Sequence, residues 1–338
     1  MNTGPGSLNC RVRRCLVPAI STVVRVLACF MVTASLCAPG AAYSKTHYTL
    51  PEKIQKNKLT FAGVHIPLEQ REVADRVVDQ LNYLLMDRRA SMIGWFDRMA
   101  VYGPTMRKVL RAEKIPDDML YLAVLLSDLL PDSKKRAGGV GWWALESRKG
   151  KKTAPEGLWV TTNDWDDRRD PVLSTKIAAS ILKWLHGKKE TGNWLLAICA
   201  YLDGVENVEE MVKKAPGFSY WDMVLPSKCE VMVPRLIALK IIDNHRALYG
   251  LNVSTPRPLA YDILRGLKLK KDLPLYLVAK WCKISPRRMW QLNPAVDPAT
   301  GTFPKADKRK SQGFPLRVPR GRGSKVRQLL TENGYLTR

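Results

Sequence analysis

The chain has 338 residues, 46% apolar and 25% charged, and carries 55 Lys and Arg against 31 Asp and Glu, a formal net charge of +24. This is the composition of a globular protein, long enough for a sizeable core and two domains. The positive excess suits a polyanionic partner or a solvated basic surface, and the chain carries no nucleic-acid motif with spaced ligands or an aromatic signature, so no nucleic-acid partner is expected.

Arg11, Arg13 and Arg14 precede the apolar stretch "VLACFMVTASLCAPGAA", residues 26–42. A basic segment, an apolar segment and small residues at its end mark 1–44 as a secretory signal peptide, or as an N-terminal anchor if uncleaved. Arg25 interrupts the apolar run and argues against a long spanning helix. Residues 45–67 are polar and aperiodic and are expected to form a linker. Periodic apolar positions in "LEQREVADRVVDQLNYLLMDRR" predict an amphipathic helix through Val73, Val77, Leu81 and Leu84. "SMIGWFDRMAVYG" predicts a second helix stopped by Gly103-Pro104, and "PTMRKVLRAEK" a third. "PDDMLYLAVLLSDLLP" opens on a helix-start signal and is apolar on nearly every side, which predicts burial. A turn-rich stretch follows, with "DDRRDP" (166–171) read as a charge-bonded turn before the next helix. "DPVLSTKIAASILKWLHGKK", "NWLLAICAYLDGVENVEEMVKK" and "PSKCEVMVPRLIALKIIDNHRALYG" complete an all-α domain over 68–253.

The pattern changes after residue 254. "YDILRGLKL" and "GFPLRVPRG" are strand candidates, and "PLYLVAKWCKI" and "SPRRMWQLNPA" are short helices, the second capped by Ser285 with Pro286 at its first position. Residues 255–338 therefore form a small βααβ module, holding 19 Lys and Arg against 5 Asp and Glu. Four cysteines, Cys10, Cys15, Cys29 and Cys37, lie in the leader; Cys199, Cys229 and Cys282 remain, too few and too scattered for a disulfide framework, and read as buried thiols. His47, His65, His186 and His245 have no metal-ligand spacing, so neither a metal nor another cofactor is expected.

The succession "PDDMLYLAVLLS", "AGGVGWW", "DWDDRRDP", "STKIAASILKWL", "WLLAICAYLDG" and "YWDMVLPS…VPRLIALKII" resembles the membrane-bound lytic murein transglycosylase D family, with its lysozyme-like fold. The tail resembles the glycan-binding LysM module. The resemblance implies an envelope or periplasmic location and peptidoglycan glycan strands as partner; the positive charge adds an anionic membrane surface as a candidate partner, and an envelope protein is a further candidate.

It also implies a chemistry. Family members cleave the bond between N-acetylmuramic acid and N-acetylglucosamine with one glutamate, which protonates the leaving oxygen and then helps the muramic 6-hydroxyl close a 1,6-anhydro ring. Such an acid needs a partly apolar groove that raises its pKa. Aligned on "YLAV", the glutamate position holds Leu126 and the following serine is Ser127. The family's Gly-Leu-Trp-Gln reads Gly141-Trp142-Trp143-Ala144, its Ala-Tyr-Asn reads Ala200-Tyr201-Leu202, and its Glu-Thr and Tyr before Val-Pro-Arg read Lys228-Cys229 and Met232. No catalytic residue is assigned. The alternatives are Asp128, about 200° further round a continued helix, and Glu146, which needs a rearranged loop. Ser127, Gly141, Trp142, Trp143 and Tyr201 are the expected substrate contacts, with Trp142 and Trp143 read either as stacking rings or as core. The expectation is a catalytically degenerate, peptidoglycan-binding envelope protein. The competing readings are an active transglycosylase with a relocated acid and a protein-binding scaffold.

Overall fold

The computed structural model describes residues 47–52, 54, 58–133, 139–146, 159–251, 256–305 and 313–336. The expected leader, 1–44, lies outside them. Residues Tyr48–Arg338 form one compact unit. The architecture is mainly α, with ten helices and six short strands among the described residues.

The segment expected to be a linker is built into the core. Leu50, Ile54, Phe61 and Ile66 are all buried. Strands β1 (Thr60–Phe61) and β2 (Val64–His65) pair antiparallel around Ala62 and Gly63, both at positive φ, as a two-residue hairpin turn requires. The amide of Ala62 donates to the Asp118 carboxylate at 2.7 Å. Sequence reading missed this because a two-residue strand has no periodicity to detect.

Helix α1 (Arg71–Met86) buries Val73, Val77, Leu81, Leu84 and Leu85, the expected face. Helix α2 (Arg89–Ala112) runs unbroken through Gly103-Pro104, where a stop was expected. Proline removes one ladder bond, but buried Met99, Met106 and Leu110 hold both halves on the core. Gly103 also leaves room for Leu120, whose Cδ2 would meet an added Cβ at 3.3 Å.

Helix α3 (Leu120–Ser127) is buried at its first five positions. Helix α4 (Pro171–His186) starts as its sequence predicts: the Asp170 carboxylate accepts from the amides of Val172 and Leu173, and Pro171 takes the first position. Helices α5 (Trp194–Asp203), α6 (Val205–Lys214) and α7 (Ser227–Asn244) complete the first core, which runs from Leu50 to Leu251.

In the tail, β3 (Tyr261–Leu264) pairs antiparallel with β6 (Leu316–Pro319), and helices α8 (Leu275–Cys282) and α9 (Pro286–Leu292) lie between them in sequence. Strands β4 (Leu273–Pro274) and β5 (Thr302–Phe303) and helix α10 (Gly323–Glu332) are additions to the expected βααβ order.

The tail has its own core, and one residue of the α region sits in it. Trp165 is fully buried there, packed on Phe303 and Phe314. Its segment bonds the tail backbone, Asp166 donating to Ala295 O at 2.9 Å and Asp297 to Asp164 O at 2.8 Å. Asp170 forms a bidentate pair with Arg317 of β6, both fully buried. The "DDRRDP" turn is charge-bonded as expected, and it also joins the two cores.

Candidate functional site

The end of α3, the loop over 139–146, the end of α5 and the start of α7 form a connected set of contacts. Ser127 ends α3 and is fully buried. Its Oγ lies 2.9 Å from Ala123 O and 2.6 Å from Trp142 O, so its one proton is shared between helix and loop; it accepts from the Leu129 amide at 3.2 Å. Leu126, one residue earlier, is half-buried against the core.

Asp128 does not continue the helix. It caps it in the left-handed conformation, with φ 57°, and Leu129 follows at φ 50°. Its carboxylate accepts from Trp95 Nε1 at 2.7 Å, lies 3.7 Å from Arg88, and its carbonyl accepts from Arg98 Nε at 2.5 Å. Burial lowers the Arg98 pKa, opposed by the Asp128 charge. The estimate of 200° round a helix thus fails because the helix ends first. Asp128 is the anchor of this helix end.

The loop has little freedom. Val140 and Leu145 pair as an antiparallel bridge. A Cβ on Gly141, at φ 76°, would lie 1.9 Å from Arg168 O, so no other residue fits. Trp142 is fully buried, packs against Tyr102 with ring centroids 4.6 Å apart and planes tilted by 59°, and donates from Nε1 to Arg169 O at 2.5 Å. Trp143 is equally buried and donates from Nε1 to Thr175 Oγ1 at 3.0 Å. The two rings expected as possible sugar platforms are therefore packed inside, and Ser127 with them. Ala144, half-buried at φ 47°, marks the loop tip.

Tyr201 of α5 is half-buried, and its hydroxyl donates to Trp143 O at 2.9 Å. Burial pushes its phenol pKa up, and the Glu146 charge adds to the shift. Leu202 is buried, and its carbonyl accepts from the Lys228 amine at 3.2 Å across to α7. Met232, one turn beyond Lys228, is half-buried.

Two layers result. Beneath lies a floor of Ser127, Gly141, Trp142, Trp143 and the Tyr201 hydroxyl, each tied to backbone or helix. The other layer, the lip, is Leu126, Ala144, Leu202 and Met232, all apolar, with Glu146 and Lys228 as the ionisable side chains beside it. Asp128 is committed to Trp95, and Glu146 is the carboxylate of this set whose charge acts on the Tyr201 phenol. Sequence reading missed Trp95, Arg98 and Thr175 as supports, because each lies on another helix, 30 or more residues from the group it holds.

Comparison with known proteins bears on this surface. Residues 107–224 match the transglycosylase SLT domain family. The chain is 28% identical over 194 residues to membrane-bound lytic murein transglycosylase D of Escherichia coli strain K12, and equally to that of Escherichia coli O6:H1 strain CFT073. The match covers 56% of this chain and 41% of each relative, about two fifths of their length. The similarity supports a relationship to lytic transglycosylases, and the mainly α architecture is consistent with their lysozyme-like domain.

Proposed function

We propose that the protein is a catalytically degenerate relative of the lytic transglycosylases, exported to the cell envelope, that binds peptidoglycan glycan strands without cleaving them. The observation that carries this reading is the end of α3. The half-buried side chain there is Leu126, and the next carboxylate, Asp128, is turned off the helix onto Trp95. Leu126 has no proton to give a glycosidic oxygen. Loss of a general acid removes about 10²–10⁴ in rate, and the apolar lip offers no side-chain hydrogen bonds to orient a sugar ring.

Binding in this reading draws on the tail. Lys268, Lys270, Lys271, Lys280, Lys283, Arg287 and Arg288 are all exposed, a surface suited to stem-peptide carboxylates and anionic lipid heads. Among the described residues no helix is long and apolar enough to cross a membrane.

The test is incubation of the purified chain with sacculi. The expected outcome is co-sedimentation, weakened but not abolished by high salt, with no release of 1,6-anhydro muropeptides above buffer. Screening acts over about 8 Å at physiological ionic strength, so loss of all binding in salt would leave charge alone as the mode. A second reading, an active enzyme using Glu146, draws on the charge of that residue acting on Tyr201. Anhydro products that vanish in Glu146→Gln would establish it.

A further inference from the structure

Helix α7 turns one stripe to solvent. Lys228, Val231, Met232 and Arg235, three and four residues apart, are exposed or half-buried, whereas Cys229, Val233, Pro234 and Leu236 are buried. The stripe runs cation, apolar, cation, and Met232 of the lip is part of its apolar centre. Seven residues of helix put the two charges about 10 Å apart along the axis. Arg235 is held in place from α1: its Nε donates to Gln80 Oε1 at 2.8 Å, and its guanidinium carbon lies 4.1 Å from the centroid of the Tyr83 ring. Its two terminal amino groups have no hydrogen-bond partner among the described residues. The Lys228 amine donates to Leu202 O at 3.2 Å. Neither cation forms an ion pair among the described residues, because Glu230, the carboxylate between them on α7, is engaged by Arg76 and by the Leu225 amide. Burial lowers the Arg235 pKa, yet a guanidinium stays charged at any ordinary pH. The helix thus carries a half-buried, oriented charge without a counterion.

We propose that this stripe is a carboxylate-binding subsite for the stem peptides of peptidoglycan. The Arg235 fork takes one stem carboxylate in a bidentate pair, Lys228 takes a second as a point charge, and the peptide between them lies on Val231 and Met232. The inference rests on the peptidoglycan reading above and names the part of the polymer that the α domain holds: the peptide and not the sugar. The lip is apolar and offers a sugar ring no side-chain hydrogen bonds, whereas the charges at either end of the stripe suit a chain carrying carboxylates. A flat lipid surface does not reach a half-buried guanidinium, and a carboxylate on a flexible peptide does. The supports from Gln80 and Tyr83 fix the fork before the ligand arrives, so little side-chain freedom is lost on binding.

The experiment titrates disaccharide-peptide fragments, released from sacculi by a muramidase, into the full chain by calorimetry. Two further ligands are the same fragments with their carboxyl groups converted to amides, and the same fragments stripped of peptide by an amidase. Intact fragments should bind, and the amidated and stripped ones should bind at least about tenfold more weakly, as loss of a charge-assisted pair implies. Arg235→Lys keeps the charge and loses the fork, and should weaken intact fragments by about tenfold. Lys228→Met should weaken them by no more than about fivefold, since an exposed point charge contributes less. Lys213→Met, an exposed lysine of α6, should leave them unchanged. Equal binding of intact and amidated fragments would overturn the proposal, as would wild-type affinity in Arg235→Lys. Full binding of stripped fragments would assign the site to sugar, and Arg235-dependent binding of anionic lipid vesicles without fragment binding would assign it to lipid; either result also overturns it. If Arg235→Lys does not fold, the comparison of intact with amidated fragments on the wild type decides alone. Sedimentation with sacculi separates this proposal from the functional reading. Wild-type chain that sediments with sacculi but ignores the fragments sinks the subsite alone, and chain that does neither sinks both.

Discussion

The floor and the lip of the candidate site differ in how their residues are held. Ser127, Trp142, Trp143 and Tyr201 each make a hydrogen bond of 2.5–3.0 Å to another element, and Gly141 has no room for a side chain. Leu126, Ala144 and Met232 are half-buried apolar groups whose places depend on contact area alone. A packed, bonded floor is needed for folding whatever the surface does. A lip can lose its polar groups and leave the fold intact, since a side chain at the surface leaves little unsatisfied when replaced. The presence of the floor is therefore evidence of fold and not of activity.

The sharpest way to break this contrast is truncation in the two layers. Trp143→Ala should cost about 3–5 kcal/mol, because it empties a fully buried site and strands Thr175 Oγ1 as an acceptor. Met232→Ala, half-exposed, should cost well below the roughly 2–5 kcal/mol of a buried methionine. Denaturant melts of both variants give the comparison, and equal losses would abolish the distinction between floor and lip.

A smaller effect is expected from placing an acid in the lip. Leu126→Glu should restore no strong release of 1,6-anhydro products, since Ala144, Leu202 and Met232 still offer no side-chain hydrogen bonds. Its stability cost should fall short of the roughly 1–3 kcal/mol of a fully buried unpartnered group, because position 126 is half-buried. Substantial sacculus lysis by this single variant would show the rest of the groove to be functional.

The smallest effect lies outside the site and sharpens the contrast from the scaffold side. His186 stacks on Trp194 with ring centroids 3.9 Å apart, and burial lowers its pKa below the model-peptide value of 6.5. A lowered histidine pKa means the unfolded chain binds the proton first as pH falls. The contribution is whole above pH 6.5 and declines as pH drops through the folded value. Tm should fall slightly below pH 6.5, and His186→Phe should flatten that part of the profile. A Tm that rises on acidification through this range in the wild type alone would reverse the sign.

Much of the scaffold is determined by short-range chemistry, and so was legible in the residues. The 3.6-residue period placed α1, and Asp170-Pro171 and Ser285-Pro286 marked the starts of α4 and α9, because a cap and its amides lie within three residues of each other. The apolar run places Leu126 in a buried helix, but it predicts that helix to continue past Asp128, and the helix ends at Ser127. Other features depend on partners that chain order does not reveal. The hairpin at 60–65 is held by Asp118, and α2 crosses Gly103-Pro104 because the core grips both of its halves. The carboxylate of Asp128 belongs to Trp95, and the indoles of Trp142 and Trp143 belong to Arg169 O and Thr175. Trp165 leaves its own helical neighbours to complete the core of the tail. Helix periods and caps are set by bonds a few residues long, whereas burial and side-chain pairing are set by which surfaces close on one another, and only the folded chain decides that.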